Sequence, residues 1–122
     1  MIRSNSINAG IIMARYTNLF TTPDTVPNLR QTLAETLKSC GLNLVYETSD
    51  YLLAQEKPGQ VSYLQLATVE VFITPPRLGK NRVEVNLVVK NEELALRRNN
   101  HCQRIFEQVN QAIADADGWK CL

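Results

Sequence analysis

RVEVNLVVKNEELALRRNNHCQRIFEQVNQAI, residues 82–113, changes its hydrophobic period once, and where the change falls decides the fold. RVEVNLVVK (82–90) alternates: Val83, Val85, Leu87 and Val89 point one way, and Arg82, Glu84, Asn86 and Lys90 the other, as in a strand with one wet face. The rest is helical in period. If one helix runs from Glu92 to Asp117, Leu94, Ala95, Cys102, Ile105, Phe106, Val109, Ala112, Ile113 and Ala116 form one stripe, and Arg98 falls inside it. A buried arginine needs a partner. The alternative is a break, with Asn100 capping a new helix and Gln103 three residues later completing a capping box. That reading is favoured. His101 then takes the first helical position, and Gly118 stops the helix with Trp119 folding back on its last turn.

Upstream, the helix signal is clearer. In TTPDTVPNLRQTLAETLKSCGL (21–42), Asp24 or Thr25 caps, Pro27 lies in the first turn and Gly41 follows the last. Val26, Leu29, Leu33, Leu37 and Cys40 make one buried stripe, which assigns Cys40 to the core. ARYTNLF (14–20) reads as a first strand that turns Tyr16, Leu19 and Phe20 toward the core. Residues 43–49 and 51–56 read as two strands about a turn at Ser49-Asp50, with KPGQ (57–60) a second turn. VSYLQLATVEVFIT (61–74) reads as one long strand whose apolar residues switch faces at Ala67-Thr68, which predicts a bulge there. PPRLGKN (75–81) is a turn. The first dozen residues show no period and are expected to be a dispensable tail or an over-long start, leaving 13–122 as one domain.

The expected fold is α+β: one domain of order β-α-β-β-β-β-α, a curved antiparallel sheet packed against two helices. Over residues 14–117 that order resembles the TATA-box-binding-protein-like and Bet v 1-like, or helix-grip-like, folds, and the resemblance implies shape alone. NEELALRRNNHCQRIFEQVNQAI (91–113) is similar in look to small uncharacterised proteins of cyanobacteria, a likeness that implies no activity.

The chain has 122 residues, 44% of them hydrophobic and 20% charged, enough for one ordinary core. Its three cysteines are odd in number, dispersed and without a CxxC pair, and no secretory signal precedes them; a cytoplasmic location is expected. No apolar run approaches the roughly 20 residues that span a bilayer. Net charge is +1 but uneven: from Arg77 to Arg104 the chain carries +4 and elsewhere −3.

Candidate chemistry is sparse. The glycines and prolines sit at element boundaries apart from Gly10, and neither GxGxxG nor GxxxxGK[ST] occurs, which excludes nucleotide loops of those kinds. Cys102 and His101 are neighbours that diverge by about 100° on a helix, so neither a metal site nor a thiol nucleophile is expected. No catalytic residue and no cofactor are assigned. Arg97, Arg98, His101 and Arg104 form a candidate anion or ligand site beside the backbone N–H groups of the last helix. Arg77, Lys80 and Arg82 form a candidate basic hairpin.

Three functions follow as expectations. The leading one is a non-enzymatic binding or adaptor domain, a possible homodimer in which Tyr63, Phe72 and Val88 interrupt the polar face of the sheet. The second is a carrier of a small acidic or lipid-like ligand in a cavity between sheet and last helix. The third is weak single-stranded nucleic-acid binding, for which the 7% aromatic content is thin.

Overall fold

The computed structural model describes residues 13–94, 100–116 and 120–121. Strand β1 (Met13–Thr22) leads to helix α1 (Val26–Ser39), then β2 (Leu42–Glu47), β3 (Tyr51–Glu56), β4 (Thr68–Thr74) and β5 (Val83–Leu94). Helix α2 (His101–Asp115) follows, and a two-residue strand β6 (Lys120–Cys121) ends the order. The fold is α+β, one open antiparallel sheet in the order β2-β3-β4-β5-β1-β6 with the helices against one face. β1 enters between β5 and β6, so the first strand lies beside the fifth.

Local chemistry sets the helix ends. The Thr25 hydroxyl accepts from the Asn28 amide, Asp24 accepts from the Thr25 amide, and Pro27 spends no hydrogen bond in the first turn. Gly41 ends α1 at φ +83°, a left-handed conformation that costs a side-chain-bearing residue energy but not glycine. Leu29, Leu33 and Leu37 are fully buried, whereas Val26 and Cys40 lie half-buried at the rim of the core, Cys40 being less enclosed than its stripe predicts. α1 lies over β2 and β3 and α2 over β1 and β5, and the two helices touch each other.

The inner sheet face follows strand alternation: Phe20 on β1, Leu52 and Ala54 on β3, Val69, Val71 and Ile73 on β4, and Val83, Val85, Leu87 and Val89 on β5. Each fully buried leucine or valine contributes about 1.5–3 kcal/mol by leaving water. α2 adds Cys102, Val109 and Ile113 at 0% exposure, with Ile105 and Phe106 packed at the edge. Tyr16 stacks on Phe106 with centroids 5.7 Å apart.

Three expectations are corrected. Asn91, Glu92, Glu93 and Leu94 are not the start of a helix but the end of β5, because Asn91 and Glu93 continue its inward positions and bond each other there. Residues 61–74 are not one bulged strand: Tyr63–Gln65 forms a 3-10 turn and β4 begins at Thr68, so the switch of faces comes from a change of structure. Strand irregularities fall instead between Met13 and Arg15 and between Leu44 and Tyr46. Leu19 pairs with Asn86 on the face opposite Phe20, so only Tyr16 and Phe20 of the predicted trio point inward.

The break at Asn100 is present. Its side chain accepts from the Gln103 amide at 2.7 Å and donates to the Tyr16 hydroxyl at 3.0 Å, and α2 opens at His101. The predicted tail at 1–12, the corner residue Asn99, the stop at Gly118 and Trp119 lie outside the described residues.

Candidate functional site

At one end of the inner sheet face the apolar residues give way to a polar group beneath the first turn of α2. Glu56 ends β3, Asn91 and Glu93 end β5, Tyr16 comes from β1 and Gln65 from the 3-10 turn. Glu93 is 9% exposed, and its carboxylate is fully occupied. One oxygen accepts from the Asn91 amide group at 2.7 Å and from the Cys102 backbone N–H at 2.9 Å, while the other accepts from Gln65 at 3.3 Å. Burial alone would push this carboxyl up; the donors of Asn91, Cys102, Gln65 and His101 outweigh it and hold its pKa below the usual value. A negative charge against the N-terminus of a helix is also favoured by the helix dipole. The anion at this helix start is thus supplied by the chain itself.

His101 is held in the same place. Its Nε2 lies 2.7 and 2.9 Å from the two oxygens of Glu56, and Glu56 also accepts from the Ala67 amide at 2.8 Å. Both side chains are largely enclosed, at 12% and 14% exposure. The pair joins the end of β3 to the start of α2 across 45 residues of sequence. Sequence reading placed His101 correctly at the helix start but missed Glu56 and Glu93. The signal for Glu93 was present: extending the alternation of β5 two steps past Val89 reaches Asn91 and then Glu93.

The buried thiol beside them cannot act as a nucleophile. Cys102 is fully buried, and its Sγ lies 3.5 Å from the Val89 carbonyl and 3.8 Å from that of Ala14. Desolvation first, then the charges of Glu93 and Glu56, push it up to about 12, so no thiolate forms near neutral pH. Among the described residues no three His, Cys, Asp or Glu side chains gather as a metal site would require.

The remaining candidates separate. Arg97 and Arg98 lie outside the described residues. Arg104 is exposed on the first turn of α2, its amide bonded to the Asn100 carbonyl. In the basic hairpin, Arg82 turns back to β1, donating to the Thr21 hydroxyl and carbonyl at 3.1 Å each, while Arg77 and Lys80 stay exposed. No helix among the described residues is long and apolar enough to cross a membrane.

Among the described residues two further surfaces stand out. The first is the outer sheet face, which neither helix covers. Tyr46, Tyr51 and Phe72 line up across β2, β3 and β4 with ring centroids 6.1 and 5.1 Å apart, flanked by Leu53. Val88 lies on the same face at only 2% exposure, closed in by its neighbours on adjacent strands. The Tyr51 hydroxyl donates to Glu70 at 2.6 Å and Lys90 pairs with the other oxygen of Glu70 at 3.1 Å. The bond to Glu70, with some burial, pushes Tyr51 up to about 12.

The second is a cleft of about 420 Å3 where β2, β3 and β4 meet the 57–66 segment. Asn43, Val45, Gln55, Thr68, Pro58 and Leu66 line it with Tyr63, and its two charged residues are Glu56 and Glu92.

No protein-family model matches the chain, and no curated protein matches it in sequence.

Proposed function

We propose that this protein is a non-enzymatic binding domain that pairs with a second copy through the outer face of its sheet. The observation carrying this reading is the row Tyr46, Tyr51, Phe72: Tyr46 is 55% and Phe72 39% exposed on a face that no element among the described residues covers. Aromatic side chains give large contact area with few torsions to freeze, which suits an interface core. The polar residues beside them are already satisfied, because Glu70 is held by Tyr51 and Lys90, so covering that carboxylate strands no charge. A two-fold contact would place each row against its counterpart.

The polar cluster under α2 supports a non-catalytic reading. Glu93 and the Glu56–His101 pair spend their hydrogen bonds inside the fold, and the nearest thiol is held neutral. The small-ligand carrier draws less support, since Leu33, Leu52, Val85, Leu87 and Ile113 between sheet and helices are all at 0% exposure and the cleft of about 420 Å3 opens beside the 57–66 segment. Single-stranded nucleic acid also draws less, because Lys90 on the aromatic face is neutralised by Glu70.

Sedimentation velocity across about 5–500 μM tests the proposal. The expected result is a dimer that Phe72→Asp converts to a monomer with an unchanged circular dichroism spectrum. A wild-type protein that stays monomeric at the top of that range removes the reading.

A further inference from the structure

The turn between β4 and β5 ends in a side chain with no place in the fold. Leu78 is 104% exposed, with Arg77 before it and Lys80 after it, and Gly79 holds the tight turn at φ +82°. Lys80 bonds back to the Arg77 carbonyl at 2.8 Å, which keeps this apolar and basic tip formed. Glu84 lies at the base of the turn with Arg82, whose guanidinium is engaged on Thr21.

The cleft at the other end of β4 has the opposite character. Its apolar wall is Val45, Tyr63, Leu66 and Pro58, with Tyr63 79% and Val45 52% exposed; of its two charged residues, both acidic, Glu56 is engaged by His101 and Glu92 stands at the surface. Glu92 is exposed and has no ion-pair partner among the described residues. Thr68 lines the cleft and Thr74 adjoins the tip, so about 20 Å of strand separates them, and a tip cannot enter the cleft of its own chain.

We propose that the Arg77–Lys80 tip of one copy docks in the Glu92–Tyr63 cleft of another, with Leu78 against the apolar wall and Arg77 and Lys80 facing Glu92. Charge and apolarity match in sense at both ends. The contact joins two different surfaces, so it is heterologous and adds copies head to tail until a ring closes. A single turn covers far less than the roughly 800 Å2 per partner of a standard interface, so the contact is weak and reversible. Asn43, Gln55 and Thr68 of the cleft lie on the same outer face as the aromatic row, two residues along β3 from Leu53, so the contact is tested with sheet pairing blocked.

The test uses full-length chains carrying one defect each. Leu78→Asp destroys the tip and leaves the cleft; Glu92→Lys with Tyr63→Ala destroys the cleft and leaves the tip. Isotope-labelled Leu78→Asp protein is titrated with unlabelled cleft-defective protein to about 1 mM and followed by amide NMR. Shifts at Val45, Gln55, Thr68 and Glu92, growing with added partner, are expected. Exchanging the label should move the shifts to 77–80, and a partner carrying both defects should produce none. Every chain in the titration also carries Phe72→Asp, which blocks sheet-face pairing, so absence of shifts at the cleft, or equal shifts with the doubly defective partner, overturns the proposal whether or not the sheet faces pair in the wild-type protein.

Discussion

Replacing Glu93 with glutamine should cost stability that depends on pH in a defined direction. Glutamine keeps the volume but exchanges one oxygen for an NH2 group. In one orientation the NH2 faces the donors of Asn91 and Cys102, and in the other it faces the donor of Gln65. Either way a buried donor loses its acceptor, and the negative charge at the N-terminus of α2 is gone. Hydrogen bonds to a charged group contribute about 1.5–3 kcal/mol, and a charge at a helix end about 0.3–1 kcal/mol where exposed. Glutamine retains part of this, so a loss of about 2 kcal/mol is expected at pH 7, or about 8 °C in Tm for a chain of this length. The carboxyl's folded pKa lies below its unfolded value near 4.3. The stability it contributes is therefore complete above that unfolded value and is lost as pH falls through the lower, folded one. Urea melts of both proteins from pH 7 to pH 3 should show a gap that is flat near neutrality and narrows at the acid end. A gap below about 0.5 kcal/mol at pH 7, or one that does not narrow on acidification, would refute the assignment of Glu93 as the internal anion of this helix.

Leu33→Ala should cost about 2–5 kcal/mol in a denaturant melt, since its site at 0% exposure sits between helix and sheet. Phe106→Ala should cost less, because half-buried Phe106 stacks on Tyr16 at the edge of the core; the reverse order would mean that α2 is seated differently. In peptide-mapped alkylation at pH 8, Cys40 should react well before Cys102, and comparable rates under native conditions would contradict the enclosure of Cys102. Ultraviolet titration should show one tyrosine ionising near pH 12, and Glu70→Gln should bring it down toward 10; no change on that substitution would show that Tyr51 and Glu70 do not share a proton.

Much of the fold is written locally. Thr25, Pro27 and Gly41 mark the ends of α1 through their own backbone preferences, and the alternation of Val83 to Val89 needs no partner to be recognised. Asn100 is a cap because its side chain reaches an amide three residues on. These interactions span a few residues, so composition and spacing reveal them. The passage from strand to helix at 91–100 was legible only in part, since Glu and Leu favour helices and a strand with Asn91 and Glu93 facing inward breaks the rule of apolar interiors.

Tertiary structure decides what those two residues mean. Glu93 can face inward because α2 returns its first-turn amides to it and the 3-10 turn brings Gln65 from 28 residues away. Glu56 meets His101 because β3 ends and α2 begins at the same side of the sheet. The row Tyr46, Tyr51, Phe72 exists only through the registers of β2, β3 and β4, for alternation tells which residues share a face of one strand and never which strand lies beside it. Neighbours on the chain are set by sequence; partners across a sheet are set by pairing, whose energy is spread over every strand at once.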